Sequence, residues 1–205
     1  MAAAGLTTAL RSETFENLQL NAGIVLVDFD YSAITDANAL KEAIVTAVND
    51  ETKILGATRG GGSFVVTREI REPDVDGRRY SFKGGRFVDS ADARLSTTLV
   101  EITPGNIKRV LGNATETKTG KKTVVKMHTQ IQDADYLPNI VWVGDLADGR
   151  MVAITLLNAL NVADFTLTYT DKGEGTLAAE FHAHQARVED YDEAPFEIVY
   201  FDKAE

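Results

Sequence analysis

Cysteine is absent from the 205 residues, which excludes disulfides, thiolate metal sites and cysteine nucleophiles together. No run approaches the roughly 18 apolar residues of a membrane-spanning helix, so no membrane segment is expected. The stretch Met1–Leu10 carries no basic n-region and too short an apolar run for a secretory signal, and a soluble chain made in a cytoplasm is expected. No low-complexity tract, internal repeat or linker divides the chain, so one domain over 1–205 is expected. Positive charge is also short, with 21 Lys and Arg against 31 Asp and Glu and a formal charge of −10. That balance repels a polyanion and argues against wrapping nucleic acid through its phosphates. Apolar residues make up 44% of the chain, enough to bury a core.

The scarce positive charge is concentrated. Residues 1–52 hold two bases against eight acids, and residues 87–205 hold eleven against nineteen. Residues 53–86 reverse the sign, with eight bases against four acids, and six of the eight are arginine. Arginine favours ion pairs at interfaces, so this segment reads either as a solvated surface or as a protruding basic element that docks on an acidic surface of another copy.

Period-2 patterning dominates. Gly23–Tyr31, Ser63–Arg71, Leu95–Thr103, Lys122–Ile131, Asn139–Val143 and Arg150–Leu157 read as strands, being β-branched and alternating. Short strands are expected at Arg78–Phe82 and Arg86–Val88. A last hairpin is expected between Phe165–Tyr169 and Leu177–His184, with an edge strand at Phe196–Phe201. The stop Glu72-Pro73-Asp74-Val75-Asp76-Gly77 is a turn, because proline cannot donate to a ladder and Asp-Gly supplies positive φ. Asp36 caps a helix whose apolar stripe is Leu40, Ala43, Ile44, Ala47 and Val48. Thr103, Pro104 and Gly112 bracket a second, short helix. The fold class is therefore mainly β (α+β): two packed antiparallel sheets flanked by one main helix, with a long protruding loop or hairpin. Along the chain this places strand and helix over 20–53, the basic hairpin over 54–90, the rest of the sandwich over 91–185 and an acidic C-terminal arm over 186–205.

Little in the sequence points to catalysis. Gly60-Gly61-Gly62 lacks the following Lys-Ser/Thr and helix of a phosphate loop, and reads as a hinge before a hairpin. Glu180, His182 and His184 share a strand face and form the one candidate metal set. No Gly-x-Ser-x-Gly elbow is present. The carboxylate pairs Asp28/Asp30 and Asp190/Asp192 have no apolar setting to separate their pKa values. The single tryptophan, Trp142, lies among aliphatic residues and reads as core. Neither a cofactor nor an enzymatic activity is expected.

Certain segments occur in a suggestive order: Ile54–Phe64 with its Gly-Ala-Thr-Arg-Gly-Gly-Gly, Asp74–Arg78, Lys83-Gly84-Gly85, and Leu95–Glu101 with its Leu-Ser-Thr-Thr-Leu. Trp142-Val143-Gly144-Asp145 and Phe165–Tyr169 follow. Over residues 20–185 the chain resembles the major tail protein of long-tailed, non-contractile bacteriophages. That resemblance implies two sheets flanked by a helix, six copies closing a ring, and rings stacking into a tail tube. It implies a subunit made in the bacterial host cytoplasm and located in the virion tail. Its partners would be its own copies, a tape-measure protein and the distal and terminator tail proteins, with DNA passing transiently. The segment Thr58–Arg86 would reach the adjacent ring through Arg59, Gly60, Gly61, Gly62, Arg68, Arg71, Asp76, Arg78, Arg79 and Lys83. Acidic candidates for the tube lining are Asp28, Asp30, Glu101, Glu116 and Glu180. Two readings compete: a monomeric β-sandwich binding module for cell-wall glycans or a host surface, and a small hydrolase built on Glu180, His182 and His184.

Overall fold

The computed structural model describes residues 11–203 apart from 20, 51–52, 188 and 190–191. Met1–Leu10 and Asp190 therefore lie outside the described residues. The first strand, β1 (Ile24–Val27), is shorter than its β-branched run, because Asp28 turns to φ +48° and leaves the ladder. Asp36 accepts hydrogen bonds from the amides of Asn38 and Ala39 and opens α1 (Ala37–Val48). Leu40 and Ala47 of the stripe are buried and Ala43 and Ile44 pack beside them, whereas Val48 stays exposed.

The basic segment forms a long hairpin, β2 (Thr58–Arg71) and β3 (Phe87–Leu99). Thr103 caps α2 (Pro104–Leu111), and Gly112 ends it at φ +77°, where a Cβ would lie 2.6 Å from the Asn161 carbonyl. A separate two-stranded sheet follows, β4 (Ala114–Thr119) with β5 (Lys122–Met127). The chain then runs through β6 (Leu137–Asp145), β7 (Met151–Asn161), β8 (Thr166–Thr168), β9 (Thr176–His182) and β10 (Phe196–Phe201).

All pairings are antiparallel, in the order β1-β6-β7-β9-β3-β2, with β10 added to β7 and β8 to β9. The β7 strand is shared between two halves: its first part pairs with β10, and Leu160 and Asn161 pair with β9. The half β1-β6-β7-β10 faces the half β8-β9-β3-β2 across a core of Val25, Ile140, Leu156, Leu95, Leu99 and Phe181. Burial of such side chains is what holds the halves together, at roughly 1.5–3 kcal/mol each. The first half turns its other face to α1 through Leu26, Val141, Ala153 and Phe201. The expected architecture of packed antiparallel sheets, a main helix and a long hairpin is thus present.

Two buried asparagines fix α2 to the sheets. Asn106 donates to the carbonyls of Leu55 and Glu101. Asn161 donates to the Val110 carbonyl and accepts from the Glu180 amide. Among the described residues, no buried side-chain nitrogen or oxygen lacks a partner, as a stable core requires. The edge strand expected at Phe196–Phe201, within the 186–205 segment, is β10, paired with β7.

Candidate functional site

The β2–β3 hairpin extends beyond the core. Near the body, Ala93, Leu95, Thr97 and Leu99 are buried on alternate positions of β3; from Thr67 outward and back to Ala91, the strands are exposed on both faces. At about 3.3 Å per residue, a 14-residue strand spans on the order of 40 Å. Among the described residues its outer edge carries no strand partner, since β2 ends the sheet path.

Tri-glycine is built into β2 rather than preceding it. Gly60 and Gly61 have φ near +75°, and the pairing with β3 shifts register between Thr58 and Gly62. This is a bulge, fixed by the Thr97 hydroxyl donating to the Gly61 carbonyl. The hinge expected from the sequence is therefore replaced by a defined kink. The expected short strands at 78–82 and 86–88 are also absent as such: residues 72–86 form a loop, and β3 begins at Phe87.

That loop is organised around one carboxylate that sequence reasoning passed over. Glu72 accepts from Arg78 at 2.8 Å and Ser81 at 3.0 Å, and lies 3.5 Å from Arg86. Arg78 also donates to the Pro73 carbonyl. The motif was hidden because its parts are spread over 15 positions. The loop ends in exposed aromatic side chains, Tyr80 and Phe82.

The ten residues assigned to inter-copy contact occupy three levels of the hairpin. Arg59 and Gly60–Gly62 sit at its base, Arg68 and Arg71 along its length, and Asp76, Arg78, Arg79 and Lys83 in the terminal loop. Part of the positive charge is answered within the chain: Arg59 pairs with Glu174 at 2.6 Å, Arg71 with Asp89 at 2.8 Å, and Arg78 and Arg86 with Glu72. Arg59 holds the Glu174 carboxyl below the ordinary carboxylate range. Arg68, Arg79 and Lys83 form no such pair among the described residues.

The acidic candidates for a tube lining do not share a face. Asp28 binds Lys53 at 2.6 Å, and Asp30 accepts from the Ser32 amide. Glu101 accepts from the Ala57 amide, and Glu116 lies on β4 of the separate two-stranded sheet. Only Glu180 projects from the outward face of β8-β9-β3-β2. There it accepts from Ser96 at 2.8 Å and approaches His182 at 3.2 Å, and His182 reaches Asp92 at 2.8 Å on its other nitrogen. The Ser96 hydrogen bond, with His182, keeps the Glu180 carboxyl below its ordinary value. Around them this face presents Arg94, Thr98, Ala178, Ser63, Thr67 and the partly buried Val65. The alternation of Asp92, Arg94, Ser96 and Thr98 lies partly outside the expected strand, which was placed from Leu95 whereas β3 begins at Phe87.

The candidate metal set does not assemble. Both ring nitrogens of His182 are engaged by carboxylates, while His184 turns to the Asn158 carbonyl and the edge of Tyr136. Trp142 packs partly against the core and donates to the Ala22 carbonyl. It lines a pocket of about 210 Å³ with Phe64, Gln19, Asn21 and the glycine bulge. That volume is below the roughly 300–1,000 Å³ of small-molecule sites. No helix among the described residues is long and apolar enough to cross a membrane. No protein-family model and no curated protein matches this chain.

Proposed function

We propose that this chain is a structural subunit that self-associates into stacked rings forming a tube, in the manner of the phage tail proteins it resembles. The observation that carries the reading is the open edge of β2: fourteen residues long and at the end of the sheet path. Monomeric proteins blunt or cover such edges, because unpaired amides and carbonyls template pairing with another chain. The edge carries a bulge at Gly60 and Gly61 and the charges of Arg68, Glu69 and Arg71, devices that limit indiscriminate pairing, and in this reading a second copy is its specific cover. At the opposite side of the same half lies β8, only three residues long, so β2 of one copy meeting β8 of the next is a heterologous contact that closes a ring.

In such a ring the outward face of β8-β9-β3-β2 lines the channel. Small hydroxylic residues, with the carboxylates of Asp92 and Glu180 outnumbering Arg94, give a wall of net negative charge that does not hold phosphate. The hairpin, projecting past the core, reaches a copy in the adjacent ring. Six copies per ring, passage of DNA, occupancy by a tape-measure protein and contact with distal and terminator proteins belong to the reading through the resemblance. A virion tail is the corresponding location.

Sedimentation velocity over a concentration series, combined with hydrogen exchange, tests it. The account expects mass to grow with concentration while the β2 amides gain protection. A monomer at every concentration, with β2 exchange unchanged, overturns it.

A further inference from the structure

Beneath the hairpin, where it leaves the body, lies a groove of about 590 Å³. Its lining combines apolar side chains, Val66 and Ala93 from the hairpin strands, Val88 further out and Phe196 from the start of β10, with the polar Asp89, Ser90, His184 and Gln185. Val88 is 57% exposed, although it continues the face that buries Ala93 closer to the core. Asp192 and Glu193 also line it and form no ion pair among the described residues. Apolar side chains beside such carboxylates suit an apolar group flanked by positive charge.

The chain itself carries such a group. At the end of the hairpin Tyr80 is 86% exposed and Phe82 61%, and Arg79 and Lys83, which flank them, form no ion pair among the described residues. The Glu72 network holds this loop in shape, so little ordering entropy opposes its docking. Tyr80's exposure also shows that the loop does not occupy its own groove.

We propose that the hairpin loop of one copy seats in this groove of a second copy, with Tyr80 and Phe82 on its apolar side chains and Arg79 and Lys83 against Asp192 and Glu193. This rests on the self-association reading and names the surface that receives the hairpin. Every copy presents both halves of the contact, and the halves differ, so the joint propagates head to tail.

Complementary charge reversal tests the assignment. One variant carries Arg79→Glu and Lys83→Glu; the other carries Asp192→Lys and Glu193→Lys. All four side chains are exposed, and unchanged circular dichroism and melting temperature verify that each variant folds. At low salt, sedimentation velocity is expected to show each variant alone associating roughly tenfold or more weakly than the natural chain. Mixing the two restores association, because each loop then meets a groove of opposite sign. If the natural chain associates but the variants do so equally well, or their mixture is no better than either alone, the groove assignment falls while self-association stands. A natural chain that stays monomeric overturns both.

Discussion

Glu180 illustrates how a side chain readable in a strand pattern acquires its meaning from neighbours in space. It was legible as an acid on one face of a strand, but the partners that define it, Ser96 and, through His182, Asp92, come from β3. The hydrogen bonds that depress its pKa make folding depend on its ionisation. A carboxyl depressed in the folded state contributes stability that is complete above its unfolded value, about 4.3, and is lost as pH falls through the lower folded value. Glu180→Gln is therefore expected to lower stability at pH 7 by about 0.5–1 kcal/mol, a modest figure because the group is partly exposed. The difference from the natural chain should shrink as pH falls below about 4. Urea midpoints between pH 7 and pH 3 measure this, and a difference that stays constant into acid would show that ionisation of Glu180 is not linked to folding.

At the scale of elements, caps and periodicity translated well and glycine did not. Asp36 and Thr103 cap the two helices as their sequence contexts dictate, and Gly112 ends the second because the Asn161 carbonyl leaves no room for a side chain. Local chemistry sufficed in those cases. The β4 strand escaped notice because Ala114–Thr119 is mostly exposed and polar, and its pairing with β5 supplies the order that its composition lacks. Tri-glycine was ambiguous for a physical reason: a hinge and a bulge both need positive φ, and only the partner strand distinguishes them. The two assignments diverge in a measurable way. Gly60→Ala with Gly61→Ala meets open space at both positions, so any cost is conformational. In a fixed bulge each residue is held near φ +75°, and the pair should cost about 2–4 kcal/mol. In a loose hinge the same substitutions would be neutral or stabilising through the unfolded chain. Thermal melts of the double variant decide between them.

For the whole molecule, charge arithmetic and sheet topology point the same way. The sequence separated a basic segment from an acidic remainder, and the fold places that segment in a hairpin standing off the body. Not all of its charge is available, since Arg59, Arg71, Arg78 and Arg86 are paired in their own chain. The exposed pairs among them contribute roughly 0–1 kcal/mol each; the pairs to the half-buried Glu72 shape the terminal loop. The residual positive charge of Arg68, Arg79 and Lys83, the exposed aromatic side chains and the open β2 edge are features that a monomer leaves unsatisfied. Which face would line a channel was not legible, because strand alternation gives two faces without saying which one the second sheet covers. Burial shows which face the other half covers, leaving Glu180, Asp92, Arg94 and Ser96 on the uncovered one.

Negative-stain electron microscopy of the concentrated protein at low salt is the decisive measurement for self-association into tubes. Rings with an open central channel are expected, with stacks of such rings lengthening as concentration rises. A field of single 22.3 kDa particles at every concentration, or assemblies without a channel, would contradict it.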